Sequence, residues 1–235
     1  MKPTEHQPRR GPAEDSSWPE QLTARVVEPG DAPALHGYDV QRDLAAHYRF
    51  GEVVLVALAG EPPSEVAGRA FELAMTFASV ITIAEAPTHA ASLARLCGAT
   101  PSGVLATGML TLVEQVRAEL EAHAPLLHWL DEPSADAPTC ARAKHVGDRA
   151  GAKNLADALT RIGFSCPAPL PDPSVAALVL AVLHSVGLCR IDQLHAALCI
   201  ARLAPLAAEA MASGAGTLRD YPLTLPPFQY EEPPA

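Results

Sequence analysis

The abundance of alanine constrains the fold of this chain more than any other feature. The 235 residues include 44 alanines, whereas aromatic residues make up only 5%. Alanine has the highest helix propensity, while strands are rich in aromatic and β-branched residues. The composition therefore predicts an all-α protein, built as one large domain or as two unequal lobes.

The charge balance excludes several classes of partner. Seventeen basic residues stand against 27 acidic residues, so the formal net charge is −10. Such a protein repels phosphate backbones and anionic lipid, and we expect no nucleic-acid partner and no membrane partner.

The Pro-rich, charged start lacks the apolar stretch of a secretory signal, which predicts a cytoplasmic protein. Five cysteines without a Cys-x-x-Cys pair indicate reduced thiols rather than a disulfide framework or a metal site.

Glycine, proline and serine mark the ends of the first predicted helices. Apolar residues between positions 38 and 59 favour helical structure that begins at Tyr38. Residues 60–64 (Gly-Glu-Pro-Pro-Ser) end this helical region and start the next helix. Ser64 is predicted to be the N-cap of that helix, since serine at this position accepts a hydrogen bond from a backbone N–H.

Two later helices are predicted from similar signals. Residues 98–102 stop one helix and start another, with Ser102 as its cap. We expect the charged second half of that helix, residues 114–123, to face solvent. A helix over residues 174–186 is apolar almost all round and is therefore predicted to be central.

Changes in composition divide the chain into three parts. Residues 1–34 are polar and rich in proline and glycine, which predicts a flexible arm. The Pro-rich stretch around residues 132–138 is interpreted as a lobe boundary. We therefore predict a larger helical lobe made of residues 35–135 and 190–235, and a smaller helical lobe made of residues 136–189.

Several segments, in their order and spacing, resemble the citrate synthase family. Near the start, residues 36–40 (His-Gly-Tyr-Asp-Val) resemble the family's Arg-Gly-Tyr turn. Residues 50–53 (Phe-Gly-Glu-Val) resemble its Phe-Glu-Glu helix, and residues 58–63 (Leu-Ala-Gly-Glu-Pro-Pro) resemble its Gly-x-Leu-Pro-Thr loop. Near the end, residues 199–202 (Cys-Ile-Ala-Arg) are similar to the family's Phe-x-x-Ser-Arg helix. The resemblance implies an all-α fold with a larger and a smaller lobe, and a homodimer.

The same resemblance implies where a substrate would bind. Arg149, which follows Asp148 as in the family's Asp-Pro-Arg, and Arg202 match arginines that clamp substrate carboxylates. His145 stands near the histidine that precedes this motif, and Glu85 falls where the family has a substrate-binding histidine. These four residues and His89, at a predicted helix start, are the candidate substrate-binding residues. No metal ligand and no cofactor is implied, and acyl-CoA is a possible ligand.

The family's catalytic groups are missing from the corresponding positions. The histidine of its His-Gly-Gly-Ala motif, which polarises the thioester carbonyl, would fall within residues 116–119 (Val-Arg-Ala-Glu). The aspartate that removes the α-proton would fall at Ala176. General acid and base groups each contribute about 10²- to 10⁴-fold, so we predict that catalysis has been lost and identify no catalytic residue.

Three functions stay open at this point. The first is a non-catalytic or regulatory subunit, beside an active relative, that binds a di- or tricarboxylate or acyl-CoA. The second is an active citrate synthase or citryl-CoA lyase-like acyltransferase or lyase that uses His89 or His145 with Glu85. The third is a structural helical dimer without a ligand. A cleft that brings together Arg149, Arg202, His145 and Glu85 would favour the first two.

Overall fold

The computed structural model describes residues 23–133, 136–165 and 170–212. The chain divides into two compact units, Met1–His47 and Tyr48–Ala235. Most of the predicted flexible arm lies outside the described residues, and the predicted division into lobes stays a prediction.

The first unit contains a small antiparallel sheet. Its strands are β1 (Val27–Glu28), β2 (Ala34–Leu35) and β3 (Tyr38–Asp39), arranged in that order. His36 and Gly37 connect β2 to β3 and have φ angles of 50° and 84°. Positive φ at both central residues is the condition for the tight type I′ hairpin turn.

The structure differs from the helix predicted to begin at Tyr38, because Tyr38 is part of β3. Asp39 then starts the helical structure, since its Oδ1 accepts hydrogen bonds from the backbone N–H groups of Gln41 and Arg42, both at 2.8 Å. A short π-helical segment (Val40–Leu44) and α1 (Ala45–His47) follow.

The second unit is helical in its described part, and the all-α prediction is confirmed. Its helices are α2 (Phe50–Ala59), α3 (Glu65–Ala78), α4 (Ala86–Leu96), α5 (Pro101–Ala122), α6 (Ala124–Asp131), α7 (Val146–Arg161), α8 (Val175–Ser185) and α9 (Ile191–Ala212). A single 3₁₀ turn (Thr139–Ala141) lies between α6 and α7.

The helix ends follow from local hydrogen bonding. Gly60 ends α2 with φ 94°, a conformation that glycine adopts without strain. Ser64 caps α3, as predicted, because its Oγ accepts from the backbone N–H of Ala67 at 3.3 Å. The prediction of Ser102 as the cap of α5 is wrong: Thr100 Oγ1 accepts from Gly103 N at 3.3 Å, and Ser102 lies inside the helix.

The core of the second unit is centred on α8. Every residue from 177 to 183 is buried, and α8 packs against α3, α6, α7 and α9. The central position predicted from its uniformly apolar sequence is therefore confirmed.

A second junction joins α4, α5 and α9, which pack on one another. At Gly108 of α5, an added Cβ would lie 2.7 Å from a methyl group of Leu206 and 3.0 Å from the Cβ of Ala91. Only glycine leaves room for this approach, so the three helices meet at closer range than larger residues would allow.

One helix among the described residues, α9, is long and apolar enough to cross a membrane. Within the protein, however, α9 has the contacts of a core helix. Arg202 forms an ion pair with Glu119, and His195 Nε2 donates to the backbone oxygen of Val113 at 2.9 Å. Both contacts attach α9 to α5.

Candidate functional site

A cavity of about 520 Å³ lies where the ends of several helices of the second unit meet. Its wall combines acidic, basic and imidazole side chains with apolar ones. The lining residues are Phe77, Ala78, Val80, Glu85, Glu119, Leu120, His123, His145, Asp148, Val175, Ala176, Val179, Leu180, Leu198 and Arg202. Three of the five predicted site residues, Arg202, His145 and Glu85, are therefore brought together.

Arg202 is held in the wall by two internal partners. Its Nη1 lies 2.8 Å from each carboxylate oxygen of Glu119, and its Nε donates to the backbone oxygen of Ala78 at 3.1 Å. The Arg202 side chain is only 12% exposed and that of Glu119 is 35% exposed. The Glu119 carboxylate therefore binds the guanidinium that the resemblance assigned to a substrate carboxylate.

Glu85 belongs to the same hydrogen-bond network. Its Oε2 accepts from Gln115 Nε2 at 2.7 Å, and its Oε1 accepts from the backbone N–H of Thr82 at 2.7 Å. Gln115 Nε2 also lies 3.3 Å from Oε1 of Glu119. One amide thus connects the carboxylates of Glu85 and Glu119.

His145 and Asp148 fix the start of α7 against the start of α8. The backbone N–H of Asp148 donates to His145 Nδ1 at 3.1 Å, so the neutral imidazole carries its proton on Nε2. Asp148 Oδ1 accepts from the backbone N–H of Val175 at 2.8 Å. Both side chains therefore cap helices as well as line the cavity.

The other two predicted site residues are not among those that line the cavity. Arg149 is exposed and forms a bidentate ion pair with Asp172, with N–O distances of 2.6 and 2.8 Å. The hydrogen bond from Arg149 lowers the pKa of Asp172 and raises that of the guanidinium, so both stay charged near neutral pH. His89 lies on an exposed part of α4.

The two positions assigned to the family's catalytic groups have different surroundings. Ala176 lines the cavity and presents only a methyl group there. Within residues 116–119, which contain no histidine, Glu119 lines the cavity. Arg117 lies on an exposed face of α5, outside the cavity lining, and forms ion pairs with Glu114 and Glu121. The hydrogen bonds that Arg117 donates to these carboxylates raise its pKa, so it cannot serve as a proton donor near neutral pH.

Sequence reasoning missed His123 and Glu119 as cavity residues. Both lie in the charged second half of α5 or just after it, a segment expected to face solvent. His123 Nδ1 donates to the backbone oxygen of Glu119 at 2.8 Å, which leaves Nε2 of the neutral ring as an acceptor. The signal that was available is the i, i+4 spacing of Gln115, Glu119 and His123, which places all three on one face of a helix.

A smaller pocket of about 220 Å³ adjoins the cavity and shares His123, Asp148 and Ala176 with it. Arg142 and Lys144 also line this pocket and supply positive charge. The described residues that line the cavity itself include three carboxylates and one guanidinium. The two spaces therefore differ in electrostatic character.

No group of three or more potential ligands that could hold a metal ion is found among residues 23–133, 136–165 and 170–212. Cys199, four residues after His195 on α9, is buried, and burial raises the pKa of its thiol. The thiol is therefore protonated near neutral pH and packs as a small apolar group.

The sequence matches no family model and no curated protein. Among solved structures, citryl-CoA lyase from Hydrogenobacter thermophilus is similar, with a TM-score of 0.64 and 15% identity over 91% of this chain and 96% of that chain. ATP citrate lyase from Methanosaeta concilii, in complex with (3S)-citryl-CoA, gives a TM-score of 0.60 at 13% identity. ATP citrate lyase from Methanothrix soehngenii, in complex with citrate and coenzyme A, gives 0.59 at 14%.

Both ATP citrate lyases are matched over 99% of this chain but only 47% of their own, so the chain spans about half of their length. Identities this low establish the fold and leave the activity open. The mostly helical architecture of this chain is the citrate synthase-like fold of citryl-CoA lyase and ATP citrate lyase, as the sequence resemblance predicted.

Proposed function

We propose that this chain is a citrate synthase-like protein that has lost catalysis and acts as a non-catalytic or regulatory subunit. The observation that carries the proposal is Ala176, whose methyl group lines the cavity where the resemblance places the catalytic base. Residues 116–119, where the resemblance places the electrophilic histidine, contain no histidine, and Arg117 among them is engaged by two surface carboxylates.

The expected loss of rate follows from these two positions. A methyl group cannot take the α-proton of a thioester, and residues 116–119 offer no imidazole to polarise its carbonyl. Acid–base groups contribute about 10²- to 10⁴-fold each, and electrostatic stabilisation of the developing oxyanion contributes about 10²- to 10³-fold. With these contributions missing, turnover should fall below detection.

The ligand class that we propose comes from the two adjoining spaces. Acyl-CoA is supported by Arg142 and Lys144, because such a pair can bind phosphate groups beside a largely apolar cavity. Binding of a di- or tricarboxylate is expected to be weak, since Arg149 and Arg202 already hold Asp172 and Glu119. The proposed setting is the cytoplasm, next to an active relative.

Turnover assays test the loss of catalysis. We expect no thiol release from acetyl-CoA with oxaloacetate and no oxaloacetate release from citryl-CoA. The first reaction is followed with a thiol reagent, and the second with malate dehydrogenase and NADH. The matched control is an active citrate synthase or citryl-CoA lyase in the same buffer.

One observation favours the alternative of an active enzyme with relocated groups: His145, His123 and Glu85 line one cavity. His123 Nδ1 contacts the backbone oxygen of Glu119, so Nε2 is the ring nitrogen that could act as a base. Turnover that disappears in His123→Ala, His145→Ala or Glu85→Gln would establish this alternative and refute the proposed loss of catalysis.

The proposed quaternary structure is a homodimer. Apolar side chains of α5 and α9 are exposed in the single chain, among them Leu110 at 71% and Ile200 at 41%. Contiguous exposed apolar patches are typical of association surfaces, and we propose that these side chains belong to one. Light scattering at micromolar concentration should give about twice the 24.7 kDa mass of one chain.

Two variants locate the dimer interface. Leu110→Glu should shift the mass towards one chain, because it places a charge in the proposed interface. Val146→Glu, at a residue that is 77% exposed on α7, is the matched control and should leave the dimer intact. A wild-type mass near that of one chain would contradict the dimer.

A further inference from the structure

We infer that Glu119 is a built-in carboxylate ligand of Arg202 and sets the specificity of the cavity by excluding external carboxylates. The inference deepens the proposed function, and rests on it, because it assigns a ligand preference to the same cavity. Glu119 thus takes the place at Arg202 that a substrate carboxylate would take.

The first argument is the geometry of the ion pair. Both carboxylate oxygens of Glu119 lie 2.8 Å from Arg202 Nη1, and Nε of the same guanidinium donates to Ala78. A ligand carboxylate that reaches Arg202 therefore meets two nitrogens, Nε and Nη1, that are already engaged, and it competes with Glu119 for the charge of the guanidinium. Charge-assisted bonds at this distance are among the strongest in proteins, so displacing Glu119 is costly.

The second argument is that the surroundings keep Glu119 in place. Gln115, one helical turn earlier, contacts the Glu119 carboxylate and also donates to Glu85. With Arg202 only 12% exposed, water screens the pair weakly. The carboxylate is therefore preorganised on the guanidinium rather than swinging freely in solvent.

The third argument concerns competition. A group tethered by a flexible linker acts at an effective concentration of about millimolar, and a short rigid connection raises that value. An external carboxylate binds only to the fraction of molecules in which Arg202 is free, so its apparent affinity falls by that fraction. We take Glu119 to occupy Arg202 in at least about nine molecules of ten, and the unmasked site then binds at least about tenfold more tightly than the wild-type site.

The fourth argument is the charge of the remaining wall. Glu85 and Asp148 also line the cavity, and among the described lining residues Arg202 is the one cationic side chain apart from the histidines. Neutralising Glu119 removes one of three carboxylates and releases the guanidinium at the same time. Both changes favour an anionic ligand.

Citrate is the probe for this inference, with binding measured by titration calorimetry. The wild-type protein should give no saturable heat at concentrations up to about 10 mM. Glu119→Gln, which removes the charge and keeps the shape, should bind citrate at least about tenfold more tightly. Glu119→Asp, which keeps the charge, should behave as the wild type.

The matched control is Glu121→Gln, a substitution of the same kind on the same helix but at an exposed residue outside the cavity lining. Equal citrate affinity in Glu119→Gln and Glu121→Gln would overturn the inference. Citrate binding by Glu119→Gln that survives a second substitution, Arg202→Gln, would overturn it as well.

A measurement on the wild-type protein decides the matter if Glu119→Gln does not fold. The Nε–H resonance of Arg202, identified by its loss in Arg202→Lys, should not shift when citrate is added to about 10 mM. A saturable shift would overturn the inference. The turnover assays test the proposed function separately, because they require no variant of Glu119.

Discussion

Phe71→Ala is expected to lower the free energy of unfolding by about 3 to 5 kcal/mol. Phe71 lies on α3, is 1% exposed and belongs to the hydrophobic core that α3 forms with α8. Its removal loses the transfer free energy of a large aromatic group and leaves a cavity that close-packed neighbours cannot fill. Urea unfolding followed by far-UV circular dichroism measures the change.

The same substitution at the surface provides the control. Phe50 is 82% exposed at the start of α2, so Phe50→Ala should change stability by less than about 0.5 kcal/mol. The melting temperature should fall by roughly 10 °C for Phe71→Ala and hardly move for Phe50→Ala. Similar losses in the two variants would mean that the α3–α8 packing described above is incorrect.

Arg202→Met is expected to lower the free energy of unfolding by about 2 to 3 kcal/mol, because it leaves the Glu119 carboxylate without its partner. The value lies below that for a fully buried pair, since Glu119 is 35% exposed. The double variant Arg202→Met/Glu119→Met should recover most of the loss, because two apolar groups then replace both charges. A double-mutant cycle from urea unfolding gives the coupling between the two residues.

The ion pair of Arg117 with Glu121 is the control for that cycle. Both side chains are more than half exposed, and such pairs contribute about 0 to 1 kcal/mol. A coupling for Arg202 with Glu119 no larger than for this surface pair would indicate that water screens the cavity wall. The wall would then be more open than the structure indicates.

Local signals allowed much of the helical architecture to be predicted. Gly60 and Ser64 end α2 and start α3 through conformations and hydrogen bonds that depend on neighbouring residues alone. The segment around Tyr38 was harder, because its apolar spacing fits a helix, whereas His36 and Gly37 form a turn that pairs β3 with β2. Strand pairing depends on residues that lie outside the short stretch of sequence in which a helical pattern is recognised.

The candidate site could be predicted only in part. The resemblance selected Arg202, His145 and Glu85, which do share one cavity, but it also selected Arg149. The pairing of Arg149 with Asp172 joins residues from separate parts of the chain, and no periodic pattern reveals such a contact. Glu119 was missed for a related reason: a charged helical segment is usually solvated, and the inward direction of one carboxylate depends on where α9 places Arg202.

The packing of α3 on α8 has a consequence for synthesis of the chain on the ribosome. About 100 residues separate the two helices, so α3 leaves the ribosome well before α8 does. Translation proceeds at about 5 to 20 residues per second, so α8 emerges roughly 5 to 20 seconds after α3. Until then, α8 does not cover the apolar face of α3. Apolar surface exposed in this way is prone to aggregate, so we expect translation speed between α3 and α8 to affect the folding yield.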